Sequence, residues 1–303
     1  MPLKTLARSM LIKTAAVLRA DELALALQRW LVRCGGSPSM LAVEMHETPE
    51  RDQHLFRRQL EWAVRHFTLV DLAAFAQLWQ QARLDPKSVA SAKPPLLFTF
   101  DDGRMSNYTV AARLLESFDT RGVFFVVPQF VKCDPEHVRQ YYYSRIDTRQ
   151  QAPNLPDEEI CPMNPEQIAD LAGRGHSVGN HTYSHVNLAT VSENELHHEI
   201  VDSAIQIAAW TGQPVDAFAW TFSWASITPV AWRMIQQHHR FCFAPCPGTV
   251  NCRLDSPSLI WRTEVELSYL PPDYRFMFSG LADPLWRSTR ERLRSLLRPH
   301  VPT

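Results

Sequence analysis

The chain has 303 residues, of which 45% are apolar and 21% charged, the balance of a globular protein rather than a disordered or fibrous one. Its 31 basic residues against 32 acidic ones leave a formal charge of -1, which excludes bulk binding of nucleic acid. Six cysteines without a Cys-x-x-Cys pair exclude a disulfide scaffold in a chain of this length. Cys242, Cys246 and Cys252 read as free thiols packed like small hydrophobes rather than as a zinc site. Cys133 and Cys161 bracket an irregular stretch, and a bridge between them is left open.

Residues 3 to 33 read as helical, as one helix or two. Leu3, Leu6, Met10 and Val17 share a face, with Lys4, Arg8 and Arg19 opposite. A basic amphipathic helix can lie on an anionic membrane, but packing on the globular body is preferred. The apolar stretches near Ile12 and Val17 are stopped by Lys13 and Arg19, too early for a secretory signal. No run of about 18 apolar residues suggests a membrane span. The expected location is cytoplasmic, with peripheral contact at the inner membrane face left open.

Met40 to Met45 reads as a strand running into the loop His46-Glu47-Thr48-Pro49. A helix is expected from Gln53 to Phe67, then a short strand at Thr68-Leu69-Val70. Asp71 is placed to cap the next helix, and a polar connection runs from Asp85 to Pro95. Leu96 to Phe100 is an apolar strand that ends abruptly in Asp101, Asp102 and Gly103. A helix from Ser106 to Phe118 and a buried strand from Gly122 to Val127 follow. Residues 132 to 162 show no period, which marks a functional or mobile insertion.

Asn164 and Pro165 open a helix that ends near Gly173. His176 to Val178 is a short strand leading to His181-Thr182-Tyr183-Ser184-His185. Beyond it are a helix from Glu193 to Thr211 and strands at 216–222, 241–244 and 258–265. A helix from Pro229 to His238 lies among them, and an arginine-rich helix spans 284–297. Alternating strands and helices imply an α/β fold with a parallel sheet, open or closed into a barrel. In such folds functional residues collect at the C-terminal strand ends, where His46, Asp101, Asp102 and His181 all fall.

Two carboxylates at the mouth of an apolar strand need a cation, hydrogen bonds or solvent. On a helical turn, His181 and His185 would share one face and hold one metal. With one carboxylate they make a two-histidine, one-carboxylate site suited to metal-assisted hydrolysis. A second carboxylate beside the ligand can then serve as general base.

Thr99-Phe100-Asp101-Asp102-Gly103 and His181-Thr182-Tyr183-Ser184-His185 resemble the first two motifs of the NodB-type polysaccharide deacetylases, carbohydrate esterase family four. Residues 163–167 and 173–180 fit the same pattern. The resemblance spans about residues 40 to 280. It implies a distorted (β/α) barrel of about seven parallel strands and N-deacetylation of an amino-sugar glycan or its precursor. It further implies that Asp102, His181 and His185 bind a divalent metal, zinc foremost, with cobalt, nickel or iron as alternatives. Asp101 is then the base that takes a proton from the metal-activated water.

Later motifs depart from the pattern. Phe218-Ala219-Trp220-Thr221-Phe222-Ser223 keeps the frame of a Phe-Ala-Tyr-Pro-Phe-Gly subgroup but replaces its tyrosine, proline and glycine. Trp220 stands at the tyrosine and counts as a supporting residue. The motif arginine that orients the base is absent, and Arg262 is its candidate substitute. The C-terminal Leu-x-His acid motif is also missing. Val43-Glu44-Met45-His46 resembles the Tyr-His strand end found where that motif is displaced to the front, which makes His46 the candidate acid.

The implied organisation is a helical extension over 1–35, a deacetylase domain over 36–280 with an insertion at about 129–162, and a helical tail over 281–303. The alternatives are a hydrolase of another non-peptide C–N bond in a small substrate, or a homologue that binds metal or glycan without catalysis.

Overall fold

Seven parallel strands close on themselves. They are β1 (Ser39–Met45), β3 (Pro95–Phe100), β4 (Val123–Val126), β5 (Ser177–Asn180), β6 (Ala217–Ala219), β7 (Phe241–Ala244) and β9 (Ile260–Glu264). Each pairs with the next in the order β3-β4-β5-β6-β7-β9-β1, and β1 returns to β3 with Glu44 opposite Thr99. Two short strands complete the sheet: β2 (Thr68–Leu69) beside the start of β3, and β8 (Val250–Asn251) antiparallel to β1. The computed structural model describes residues 19–34, 38–85, 93–148 and 155–297, together with Ile12 and Thr14. The amphipathic face expected through Leu3, Leu6, Met10 and Val17 lies outside these residues.

The barrel follows from strand alternation. Side chains at every second position point inward. Met40, Ala42, Leu97, Val123, Phe125, Ala217, Ala219, Phe241, Phe243 and Ile260 fill the interior toward the N-terminal strand ends. The helix Leu72–Leu84 packs Phe75 and Trp79 onto the same cluster, and Asp71 caps it by accepting the Ala74 N–H. Outward residues such as Leu41, Val43, Phe98, Phe100 and Phe124 meet the surrounding helices in a separate layer. At the C-terminal end the inward positions become polar: Glu44, Thr99, Asp101 and Arg262. Below that level the barrel is closed with apolar side chains, so the chemistry is confined to its top.

Several expectations are corrected. The helix expected over 106–118 begins as a π turn, Asn107–Ala112, before Arg113–Ser117. A second π turn, His198–Asp202, splits the helix expected over 193–211. Each turn shifts the helical phase without breaking the apolar pattern. The strand expected over 216–222 is only Ala217–Ala219, because Phe222 turns into the left-handed region at φ 63°. A helix at Pro271–Phe278 was not expected. The described part of the aperiodic insertion consists of short helical pieces around a small core of Phe130, Val138, Tyr142 and Ile160. All six cysteines are free, Cys133 and Cys161 included. Among the described residues no helix is long and apolar enough to cross a membrane.

Candidate metal centre

β3 delivers Asp101 and Asp102 to the top of the barrel. The chain turns sharply there: Asp102 and Gly103 both have φ 72°, a conformation aspartate tolerates and glycine favours. The turn sends the two neighbouring carboxylates to different partners. Asp102 Oδ2 takes Arg104, at 3.4 Å from Nε and 3.3 Å from Nη2. Its Oδ1 is left facing His181 Nε2 at 3.8 Å and His185 Nε2 at 3.6 Å.

His181 and His185 do not lie on a helix, contrary to the spacing argument. The segment is a loop, with φ 62° at Thr182 and 57° at His185. The main chain, not a helical face, brings the rings together, with centroids 5.2 Å apart. His181 Nδ1 donates to the Ala219 carbonyl at 2.9 Å, and His185 Nδ1 donates to the Arg145 carbonyl at 2.5 Å. A carbonyl can only accept, so both Nδ1 atoms carry the proton. Both Nε2 lone pairs then point at Asp102.

These three ligand atoms lie within 4.8 Å of one another, and all three residues are buried. Donors at about 2.0–2.2 Å from a tetrahedral zinc stand about 3.3–3.6 Å apart. The cluster therefore fits a divalent ion with little adjustment. Its protonation state fits too. Burial pushes the His185 imidazole down to about 4, against the pull of Asp102. Burial likewise lowers His181. Burial would raise Asp102, but Arg104 and then His46, His185 and His181 outweigh it and hold the carboxyl at about 2.

Asp101 turns the other way. Arg262, inside the barrel on β9, grips it with Nη1 on Oδ1 at 2.6 Å and Nη2 on Oδ2 at 2.8 Å. The same guanidinium reaches Thr99 Oγ1 and Glu44 Oε2, at 3.3 and 3.1 Å, and stacks over Phe125. Burial opposes the charge on Asp101, but Arg262 and His181 hold its carboxyl below the usual range. Asp101 Oδ2 is 3.7 Å from His181 Nε2, so a free carboxylate edge borders the metal cluster.

His46 stands at the rim, its side chain 35% exposed and Nε2 3.9 Å from Glu44 Oε1. Burial lowers its imidazole, but Asp102, Glu44 and Asp101 together raise it above the usual value. Glu44, His46 and Asp101 also come within 4.8 Å of one another. Arg262 already sits on both carboxylates of that group, so a cation is present there.

The structure does not bring Trp220 to the cluster. Its indole N–H meets Cys242 Sγ at 2.8 Å, and its ring packs on Phe218 in the layer outside the barrel. Ala219, one residue earlier, supplies the useful group through its carbonyl. Sequence reasoning missed Arg104, Glu44 as a partner of Arg262, and Phe222. The Phe222 ring, 42% exposed, lies 5.1 Å from that of His185. It lines a cavity of about 450 Å³ with Arg145, Asn187 and Glu199. The inward parity of Glu44 with Ala42 and Met40 was the signal for its burial.

Residues 88–231 match the polysaccharide deacetylase family model. The closed seven-stranded barrel is of the type seen in solved polysaccharide deacetylases. A peptidoglycan-N-acetylglucosamine deacetylase of Bacillus cereus is 49% identical over 37 residues, 12% of this chain and 14% of that protein. An uncharacterized 30.6 kDa protein of Geobacillus stearothermophilus is 24% identical over 123 residues, 40% of this chain and 35% of its own length. The chain thus aligns with well under half of either curated relative.

Solved structures agree over more of the chain. A polysaccharide deacetylase from Bacillus cereus superposes with a TM-score of 0.58 at 16% identity, covering 80% of this chain and 69% of that one. IcaB from Ammonifex degensii gives 0.58 at 19% identity, covering 81% and 97%. Deacetylase PplD of Streptococcus pyogenes, in complex with acetate, gives 0.57 at 15% identity, covering 80% and 99%. At these identities the likeness is one of fold.

Proposed function

We propose that this chain is a metal-dependent hydrolase that removes N-acetyl groups from an amino-sugar glycan or glycan precursor. One observation carries the reading: Asp102 Oδ1 faces two histidine Nε2 atoms, while Asp101, gripped by Arg262, borders the same point. Asp102, His181 and His185 would hold the ion. When bound, a divalent metal there supplies a water acidified toward neutrality and polarises the acetamide carbonyl.

The chain's own groups do the rest. Asp101 accepts the proton of the attacking water. Arg262 keeps that carboxylate ionised and aimed, because its fork fits both oxygens at once. His46, at the rim and raised above its usual pKa, carries a proton for the departing amine. Phe222 offers an exposed aromatic face beside His185, suited to the apolar face of a pyranose. The family match and the barrel support the glycan reading over a generic C–N substrate.

The test is acetate release from chitooligosaccharides by zinc-loaded protein. Asp101→Asn is expected to keep its metal and to lose about 10²- to 10⁴-fold in turnover, the range for removal of a general base. Metal bound without acetate release from any acetylated amino sugar would sink the proposal.

A further inference from the structure

We propose that Glu199 is a positioning residue: from a π turn outside the barrel it holds Tyr183 and Ser184, and so fixes the loop that aims His181 and His185 at one point. This rests on the ligand set of the function proposed above.

The loop has no regular structure to hold it. Residues 181–185 form neither helix nor strand, and Thr182 and His185 both have positive φ. Left-handed backbone is costly for a β-branched residue such as threonine and persists only where surrounding contacts impose it. The ring hydrogen bonds to the Ala219 and Arg145 carbonyls orient the two imidazoles but not the residues between them. The Gln129 N–H and the Tyr141 hydroxyl donate to the carbonyls of Tyr183 and Ser184. The N–H groups of both residues go to Glu199.

The π turn His198–Asp202 makes this possible. In a regular helix the Ser203 N–H would bond the Glu199 carbonyl, four residues back. Here it bonds the carbonyls of His198 and Ile200 instead. The Glu199 carbonyl is released, and the Tyr183 N–H takes it at 3.0 Å. The side chain of the same residue completes the grip. Oε2 accepts the Ser184 N–H at 3.0 Å, and Oε1 accepts the Ser184 hydroxyl at 2.7 Å. The turn also anchors the entry to the loop. Asn180 Nδ2 donates to the Ile200 carbonyl at 2.8 Å, and Ser203 Oγ donates to Asn180 Oδ1 at 2.7 Å.

Glu199 is buried at 6% exposure, where a carboxylate is costly without partners. Two donors of one residue meet its two acceptor oxygens. A loop held in shape before a metal arrives leaves less ordering to be done on binding, so the grip acts through zinc affinity.

The test compares Glu199→Ala and Glu199→Gln with wild type. Glutamine can accept the Ser184 N–H through its oxygen and donate its amide to the Ser184 hydroxyl, so it keeps the grip without the charge. Zinc affinity, read by competition with a chelator, is expected to fall about tenfold or more in Glu199→Ala, the range for lost outer-shell support. Glu199→Gln is expected to match wild type. In metal-free protein, hydrogen exchange in the peptide spanning 181–186 is expected to quicken about tenfold in Glu199→Ala, the equivalent of one lost hydrogen bond, and to stay unchanged in Glu199→Gln. Ile207→Val, a core change in the same helix outside the turn, is the control: it lowers global stability and leaves zinc affinity in place.

If Glu199→Ala does not fold, Ser184→Ala, which removes only the hydroxyl, is expected to show a smaller shift in both readouts. Wild-type affinity and exchange in the alanine variant that folds overturn the inference. Glu199→Gln as weak as Glu199→Ala overturns it too, because charge rather than position would then be the cause. A wild type that binds no zinc overturns the ligand assignment instead, and exchange in the metal-free protein still decides the grip.

Discussion

Arg262 and Asp101 are 161 residues apart in the chain and meet inside the barrel through two hydrogen bonds of 2.6 and 2.8 Å, neither side chain more than 2% exposed. Nothing in their local sequence pairs them. β9 and β3 flank β1 on opposite edges, and the barrel's closure turns both side chains inward. Arg262→Met would strand Asp101 and Glu44 without a cation, and is expected to cost about 3–5 kcal/mol of stability in denaturant unfolding. Arg262→Lys keeps the charge but cannot form both prongs. It is expected to fold and to lose about 10²-fold in acetate release, which a steady-state assay reads directly.

Asp102→Ala and His181→Ala each remove one of the three proposed ligands. After zinc loading and dialysis, elemental analysis is expected to find about one ion per chain in the wild type and almost none in either variant. Asp101→Asn, outside the ligand set, should keep its ion. Loss of metal in Asp101→Asn would place that carboxylate among the ligands.

The insertion reaches the centre through Arg145, whose carbonyl holds His185, and through Tyr142, whose ring lies 4.9 Å from the Arg104 guanidinium. Tyr142→Ala hollows the insertion's small core and frees Arg104 from its ring. Metal affinity is expected to fall about tenfold, the low end for lost outer-shell support, as read by competition with a zinc chelator. Unchanged affinity would mean that the insertion does not steady the ligands.

His239 sets a limit on acid stability. Its ring is 4% exposed, Nε2 accepts from Asn180 Nδ2 at 3.2 Å, and Nδ1 has no partner. Burial pushes the imidazole down to about 4, whereas an unfolded histidine titrates near 6.5. The unfolded chain binds more protons between these values. This contribution is full above pH 6.5 and is lost as pH falls toward 4. His239→Phe is expected to lose about 2 kcal/mol less than wild type between pH 7 and 5, measured by denaturant unfolding at both pH values.

Burial also raises the thiols of Cys242, Cys246 and Cys252 to about 12. Iodoacetamide at pH 8 is expected to label exposed Cys34 rapidly and those three only after unfolding, as mapped by mass spectrometry. Rapid labelling of Cys242 in the native state would contradict the packing around Trp220.

Much of the barrel could be read from the chain because its strands are short apolar runs with abrupt polar ends. Leu96 to Asp102 is the clearest case, and the Asn164 capping box was equally legible. The helix at Pro271–Phe278 escaped because Tyr274, Phe276 and Phe278 alternate as a strand would. The π turns escaped because one extra residue leaves composition untouched. The histidine loop was misread because a spacing of four suits a helix and equally suits two left-handed residues at 182 and 185. Glu44 and Arg262 lie far apart in the chain, and only the lateral pairing of β1 with β9 brings them together.

Both histidines of the cluster, His181 and His185, are steadied by peptide carbonyls, those of Ala219 and Arg145. A carbonyl is present whatever the side chain, so the genetic code cannot delete these supports by a single substitution. Position 145 is therefore decoupled: its backbone serves the ligand while its side chain lines the neighbouring cavity. A lineage, or an engineer, can rewrite that side chain to suit a new substrate and leave the histidine's anchoring group in place.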